Sequence, residues 1–250
     1  MAEKRMYEYD EDFYRYLSSF AVRSARRLVP LLTAVLPIRS VADFGCGYGG
    51  WLSVWRDAGM SITGLDGPYV DCSQLLIDPE YFHAVDLAKP IDLGRRFDLV
   101  QSVEVAEHLP AAKAPQFVTT LTVHGPCVLF SAAVPGQGGE NHVNEQPLAY
   151  WRALFRERGF IAIDYLRPLI RNDADTEPWY RYNTILYVAE DYLPSLPDAV
   201  RESMVPDAEP LDEYRPLHDR LRNALLWQLP VGMVTRLSRL RTSLIARKYG

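Results

Sequence analysis

The most constraining stretch of this chain is Val41-Ala42-Asp43-Phe44-Gly45-Cys46-Gly47-Tyr48-Gly49-Gly50. A short apolar run that reads as a strand meets an acidic residue. A turn with four glycines in six positions follows, and a helix begins near Trp51. Glycine lets the backbone turn left-handed and pass close to a ligand, and a helix start aims N–H groups at it. Asp43 sharpens the expectation. A carboxylate just before the turn suits a ligand with positive charge and hydroxyl groups better than one with a pyrophosphate. A turn of this kind also commits the chain to an α/β sheet with its ligand at the carboxyl ends of the strands.

The remaining sequence follows that plan. Apolar runs predict strands at 40–44, 61–65, 81–85, 97–103, 127–132, 160–166 and 183–189, with helices at 51–58, 112–123 and 147–158 between them. Cys127-Val128-Leu129-Phe130 shows no polar alternation, as expected of a parallel strand covered on both faces. The last two strands have no helical signal between them. A long loop from Arg167 to Asn183, rich in Arg, Asp and aromatic residues, joins them, and they are expected to pair antiparallel at one edge. Ahead of the sheet, Phe13, Leu17, Phe20, Ser24, Leu28, Leu31 and Val35 form a helical stripe, with a break expected at Pro30. The predicted architecture is a doubly wound, Rossmann-like, mostly parallel seven-stranded sheet with an antiparallel edge strand. An N-terminal helical lid (1–36) and a proline-rich connection with a basic helical tail (191–250) flank the sheet domain (37–190).

Composition excludes several classes. A chain of 250 residues with 48% hydrophobic and 24% charged residues builds one ordinary globular core. There is no apolar run of about 18 residues and no apolar signal core at the N-terminus. Three scattered cysteines make neither a disulfide framework nor a zinc site, so the cytoplasm is the expected compartment. A net charge of −5 argues against nucleic acid as the partner. The tail differs: from Leu221 to Gly250 there are six basic residues and no acidic one. Val231, Met233, Val234, Leu237, Leu240, Leu244 and Ile245 alternate there with arginines, a pattern for packing on the domain or for weak contact with a membrane surface or an acidic partner. Nothing in the sequence fixes the oligomeric state.

Three further features bear on chemistry. Gly45, Gly47 and Gly50 satisfy G-x-G-x-x-G, so a nicotinamide-dependent oxidoreductase is one reading. Asp66 ends the second strand 23 positions after Asp43, where a carboxylate accepts both ribose hydroxyls of either a dinucleotide or an adenosine-bearing cofactor. Asp86-Leu87 follows the third strand, where a carboxylate meets an adenine amino group, and Glu104-Val105-Ala106-Glu107-His108-Leu109-Pro110 follows the fourth.

In order and spacing, residues 40–189 resemble the class I S-adenosylmethionine-dependent methyltransferases. Asp43–Gly49 looks like their first motif, and Leu65-Asp66-Gly67, Val85-Asp86-Leu87 and Glu104–Leu109 like the next three. The block from Phe130 to Gln146 resembles a bacterial small-molecule subgroup, some members of which act on sugars or antibiotic-like metabolites. The resemblance implies S-adenosylmethionine as cofactor, held by Asp43, Gly45, Cys46, Gly47, Gly49, Trp51, Asp66, Gly67, Asp86, Leu87 and Val103. It implies methyl transfer to an oxygen or nitrogen of a small polar metabolite. A non-catalytic S-adenosylmethionine-binding protein is the remaining alternative.

His108 is the expected general base, since an imidazole with an ordinary pKa near 6.5 takes a proton as the methyl arrives. His142, in the glycine-rich loop after the fifth strand, and Glu104 complete the expected catalytic set. Glu104, Glu107 and His108 at i, i+3 and i+4, with His142, also match a hard-cation ligand set. The site is nevertheless read as metal-free. Tyr7, Tyr9, Phe13, Tyr14 and Tyr16 are expected to pack or to shape a lid, and Arg171, Asn172, Asp173, Trp179, Tyr180, Arg181 and Asn183 to form a pocket wall.

Overall fold

A computed structural model describes the backbone of residues 11–249 and the side chains of residues 20–240. The strands are β1 (Ser40–Phe44), β2 (Ser61–Asp66), β3 (Phe82–Ala84), β4 (Leu99–Val103), β5 (Cys127–Ser131), β6 (Phe160–Ile163) and β7 (Ile185–Ala189). They form one seven-stranded sheet in the order β3-β2-β1-β4-β5-β7-β6. Pairing is parallel from β3 to β5, and β7 runs antiparallel to both β5 and β6. The expected antiparallel end of the sheet is therefore the β7–β6 pair, with the reversed strand one place in from the rim.

The helices are α1 (Glu11–Thr33), α2 (Gly50–Asp57), α3 (Ala114–Val123), α4 (Leu148–Arg156), α5 (Leu166–Ile170), α6 (Pro178–Asn183), α7 (Asp198–Arg201), α8 (Leu217–Leu226) and α9 (Val231–Tyr249). The strands' lack of alternation is explained by two cores. On β5, Cys127 and Leu129 join the layer that contains α1, α2 and α5, while Val128 and Phe130 join the layer that contains α3 and α4. On β1, Val41 faces the first layer, and Ala42 and Phe44 face the second.

Three sequence expectations need correction. Helix α1 runs through Pro30 without a break. The proline is exposed and lies in the last turn, so the carbonyl it leaves without a donor faces water, while buried Leu28, Val29 and Leu32 hold the turn down. The segment between β6 and β7 is no long loop but contains α5 and α6. It is pinned to α1 by ion pairs of Arg23 with Glu177 and Arg27 with Asp173. The third correction concerns α1 itself: its second half is core, with Ala25, Leu28 and Leu32 fully buried. The side chains of Tyr7, Tyr9, Phe13, Tyr14 and Tyr16 lie outside the described residues.

The tail wraps back over the domain. Asp164 N–H donates to Ser203 O and Val205 N–H to Ala162 O, so residues 203–205 run along the outer edge of β6. Two buried arginines then hold the strap by its carbonyls: Arg152 donates to Val205, Pro206 and Glu209, and Arg167 to Asp212.

Candidate active site

In a doubly wound sheet the crevice opens where the strand order reverses. Here that point lies between β1 and β4, and Asp43 sits in it, in register with Gly64 of β2 and Gln101 of β4. The indole of Trp55 donates to Gln101 Oε1 at 3.0 Å. An indole N–H can only donate, so the amide NH2 of Gln101 must face Asp43, donating to Oδ2 at 3.0 Å. The other oxygen, Oδ1, is buried with no partner. Burial, against the one Gln101 hydrogen bond, pushes the Asp43 carboxyl up to about 8, with Asp66 adding like charge.

The glycine turn brings Asp43 and Asp66 together. Gly45 has φ of 94° and lies so close to Val105 that a Cβ would overlap its methyl groups. Gly45 and Cys46 N–H both donate to Leu65 O, Gly47 N–H to Asp66 Oδ2 at 2.7 Å, and Gly49 N–H to Cys46 O. These four turn donors are therefore spent on the protein. What the turn provides is close approach. Cys46 departs furthest from its expected role: its thiol is packed beside Gly64 and Leu52, because Gly64 leaves room for it there.

Asp66 Oδ1 accepts from Gly67 N–H at 2.6 Å and from the Tyr69 hydroxyl at 2.7 Å. With Gly47, three of the roughly four acceptor positions of a carboxylate are used. Tyr69 can fold over this acid because residue 67 is glycine; a Cβ there would strike its ring. Burial raises the Asp66 pKa, opposed by these three hydrogen bonds. Val85 N–H donates to Asp66 O, which places Asp86 beside it. The Asp86 carboxylate is exposed and engaged with its own turn, accepting from Ala88 N–H and pairing with Lys89. Leu87 and Val103 are buried as apolar walls, and Trp51 meets Tyr180 edge-on at 5.3 Å.

Beyond β4 the chain makes an uncommon turn. Glu104, not a glycine, has φ of 56°. Left-handed backbone at such a residue costs on the order of 1–3 kcal/mol and persists only when its surroundings over-determine it. They do so here. Glu104 N–H donates to both the carbonyl and the hydroxyl of Ser131. Its carboxylate accepts from Gln137 at 2.7 Å and Asn183 at 3.2 Å, and Asn183 in turn accepts from the buried guanidinium of Arg215. Burial still raises the Glu104 pKa.

Glu107, His108 and His142 place one donor atom each within 4.8 Å of one another. Glu107 is fully buried, with only the backbone N–H groups of its own residue and of Ala133 near its carboxylate among the described residues. Burial, then repulsion from Glu104, raises its pKa well above the usual carboxylate range. His108 packs edge-on against His142, with ring centres 4.9 Å apart, and its Nδ1 lies 3.3 Å from Asn141 O. Burial pushes the His108 imidazole down to about 3, with His142 adding to the effect. A group held neutral in this way takes a proton poorly near neutral pH, which weighs against the expected role of His108 as general base. His142 is placed differently. Its Nδ1 lies 2.9 Å from Glu145 Oε1, and Glu145 is fixed by the N–H groups of Gly136 and Gly138.

Of the expected pocket wall, Asn183 and Tyr180 reach this region. Asp173 instead pairs with α1 through Arg27. Gln101, Tyr69, Gln137, Glu145 and Arg215 were not expected as site residues. Gln101 had a visible signal, a polar residue inside an apolar strand, whereas Arg215 in the irregular tail had none.

Residues 4–121 match the family model described as "Methyltransferase domain". Those residues match a methyltransferase domain, and the sheet order is that of a Rossmann-like methyltransferase fold. The methyltransferase family uses S-adenosylmethionine. No curated protein matches the sequence. Among solved structures, the methyltransferase shares its fold with magnesium protoporphyrin IX methyltransferase (ChlM) from Synechocystis with bound SAH, at 20% identity and TM-score 0.52, over 68% of this chain and 84% of that one. It is also similar to DesVI from Streptomyces venezuelae, at 15% identity and TM-score 0.53, over 73% of this chain and 100% of that one. The sugar N-methyltransferase KedS8 from Streptoalloteichus sp matches at 17% identity and TM-score 0.50, over 76% and 98%.

The residues fit such a donor. A pyrophosphate needs N–H donors and positive charge. This methyltransferase spends the N–H groups of Gly45, Cys46, Gly47 and Gly49 internally and lines the crevice with acids. A buried carboxylate oxygen without a partner calls instead for a cation.

Proposed function

We propose that the protein moves a methyl group from S-adenosylmethionine to an oxygen or nitrogen of a small polar metabolite, a sugar, nucleotide-sugar or antibiotic-like compound. The observation that carries the donor half is the unpartnered Oδ1 of Asp43 at the switch point. Asp43 would hold the positively charged methionine end, Asp66 and Gly67 the ribose side, and Asp86 with Leu87 the adenine side, with Gly45 and Gly47 allowing close approach. The cofactor supplies an electrophilic methyl on a sulfonium, already a good leaving group.

The protein's work is therefore alignment, exclusion of water and management of one proton. Glu104, Gln137 and Asn183 present a fixed array of acceptors and donors to a polar acceptor molecule. His142, with its tautomer set by Glu145, takes the acceptor's proton in place of His108. The closeness of one donor atom each from Glu107, His108 and His142 favours a second reading of the same cluster, in which the three would hold a divalent cation that orients the acceptor's oxygen or nitrogen.

The test combines binding and turnover. Thermal shift should rise with S-adenosylhomocysteine and not with NAD, and a panel of sugars and amines with labelled donor should identify an acceptor. Asp66→Ala should lose donor affinity. His142→Ala should keep donor affinity and lose turnover by about 100-fold or more. Stabilisation by NAD alone, or full turnover by His142→Ala, refutes the assignment.

A further inference from the structure

We propose that helices α8 and α9 dock this enzyme on an anionic lipid surface. Leu217, Leu221 and Leu225, at i, i+4 and i+8, form one stripe along α8, and all are exposed, Leu225 at 72%. Trp227 in the connection and Leu237 and Leu240 on α9 are exposed as well. Scattered surface leucines need no explanation, but a three-residue stripe on one helix followed by more exposed apolar residues on the next does.

Charge identifies what covers it. After Asp219 the sequence has no acidic residue. Arg220, Arg222, Arg236 and Arg239 lie within the described part of the two helices, interleaved with the apolar positions. The acidic groups that face them are Asp219, which pairs with Arg222 and lies near His218, Glu140, which pairs with Arg239, and Asp207, Glu209, Asp212 and Glu213, which line one cavity with Arg220 and Trp227. Arg220 and Arg236 have no acidic partner among the described residues. An exposed apolar stripe flanked by arginines, in a protein whose net charge is −5 overall, suits the boundary between anionic headgroups and acyl chains. A second copy of the chain fits it worse, because a symmetric contact would set the same positive surface against itself. No helix among the described residues is long and apolar enough to cross a membrane, so the contact is interfacial.

These helices also roof the catalytic loop. Asn141 N–H donates to the Thr235 hydroxyl, Arg239 pairs with Glu140 at 2.9 Å, and Gly136 lies so close to the Asn223 backbone that a Cβ would not fit. A lipid-docked tail thus holds the loop that carries His142 against the interface, where an amphiphilic acceptor would be met. Docking itself rests on the tail alone and is read without methyl donor, so its failure and that of the proposed reaction are separable.

The experiment is co-sedimentation of the full-length protein with phosphatidylcholine vesicles, with and without phosphatidylglycerol, alongside size-exclusion chromatography. Pelleting is expected only with phosphatidylglycerol, and should fall as salt screens the charges. Two surface variants, Leu221→Asp with Leu225→Asp, and Arg220→Glu with Arg236→Glu, should each lower partitioning on the order of tenfold or more. Circular dichroism matching the parent shows that they fold. Absence of pelleting, equal pelleting with neutral vesicles, or variants that pellet like the parent overturns the proposal. So does a dimer that the leucine variant dissolves, since a second copy would then cover the stripe.

Discussion

The sharpest prediction concerns the proton on Asp43. Its carboxyl is buried, receives one neutral hydrogen bond and is pushed up to about 8, against about 3.9 in an unfolded chain. The native state therefore prefers the acid form. Relative to an uncharged residue, wild-type stability is complete below about pH 4 and is lost as pH rises to about 8. At pH 7 the difference is about 4 kcal/mol, an upper limit because Asp43→Asn leaves an amide donor without a partner in place of the oxygen. Asp43→Asn without donor should then gain in Tm over wild type as pH is raised from 5 to 8. Donor binding should show the mirror image. A cation at Oδ1 favours the carboxylate, so binding releases a proton, and affinity rises about tenfold per pH unit between pH 5.5 and 7.5. Above that window the donor's own amino group begins to lose its charge. Calorimetry in two buffers of different ionisation enthalpy reads the released proton directly. Asp43→Asn should bind weakly and without pH dependence. A flat affinity profile for the wild type, or proton uptake on binding, refutes the assignment of Asp43 to the donor's cationic end.

Three other expectations follow from single contacts. Gly45→Ala meets Val105 and a φ of 94°, and should lose roughly 1–3 kcal/mol in urea unfolding along with donor binding; adding Val105→Ala should restore only the part due to the clash. Arg167 is fully buried, forks onto Asp164 and donates to Tyr182 O and Asp212 O. Arg167→Met should cost about 3–5 kcal/mol, while Arg167→Met with Asp164→Leu should recover most of it, as read by denaturant midpoints. Glu107→Gln should leave the metal-free Tm unchanged or raised, and should abolish any rise in Tm caused by magnesium or manganese in the parent.

Much of the fold was legible because parallel strands buried on both faces leave a simple record. Cys127-Val128-Leu129-Phe130 reads as a strand since alternate residues feed two different cores, and each run here stops at a turn residue or an acid. The elements missed were those whose order comes from distant partners. Helices α5 and α6 are five and six residues long, too short to show a helical period, and are fixed by Arg23 and Arg27 of α1. Pro30 looked like a break because sequence does not show which face of a helix meets water. The low basicity of His108 is hidden in the sequence for the same reason: an imidazole's basicity follows its burial, and burial is a property of the whole fold.

The site's most informative property is likewise absent from any one motif. Asp43, Asp66, Glu104 and Glu107 converge at the carboxyl ends of β1, β2 and β4. All are more than usually basic through burial, and none has an ion pair among the described residues. A fold selected for stability alone would replace such acids or pair each with a cation, as it does at Arg167 and Asp164. The nearest buried cation, Arg215, is directed away to Asn183 and Glu213. Local rules broken together in one crevice mark a place where stability has been traded for binding. Four acids without an ion pair among the described residues would each gain from a cation entering the crevice, which is the charge that the sulfonium and ammonium of the proposed donor carry.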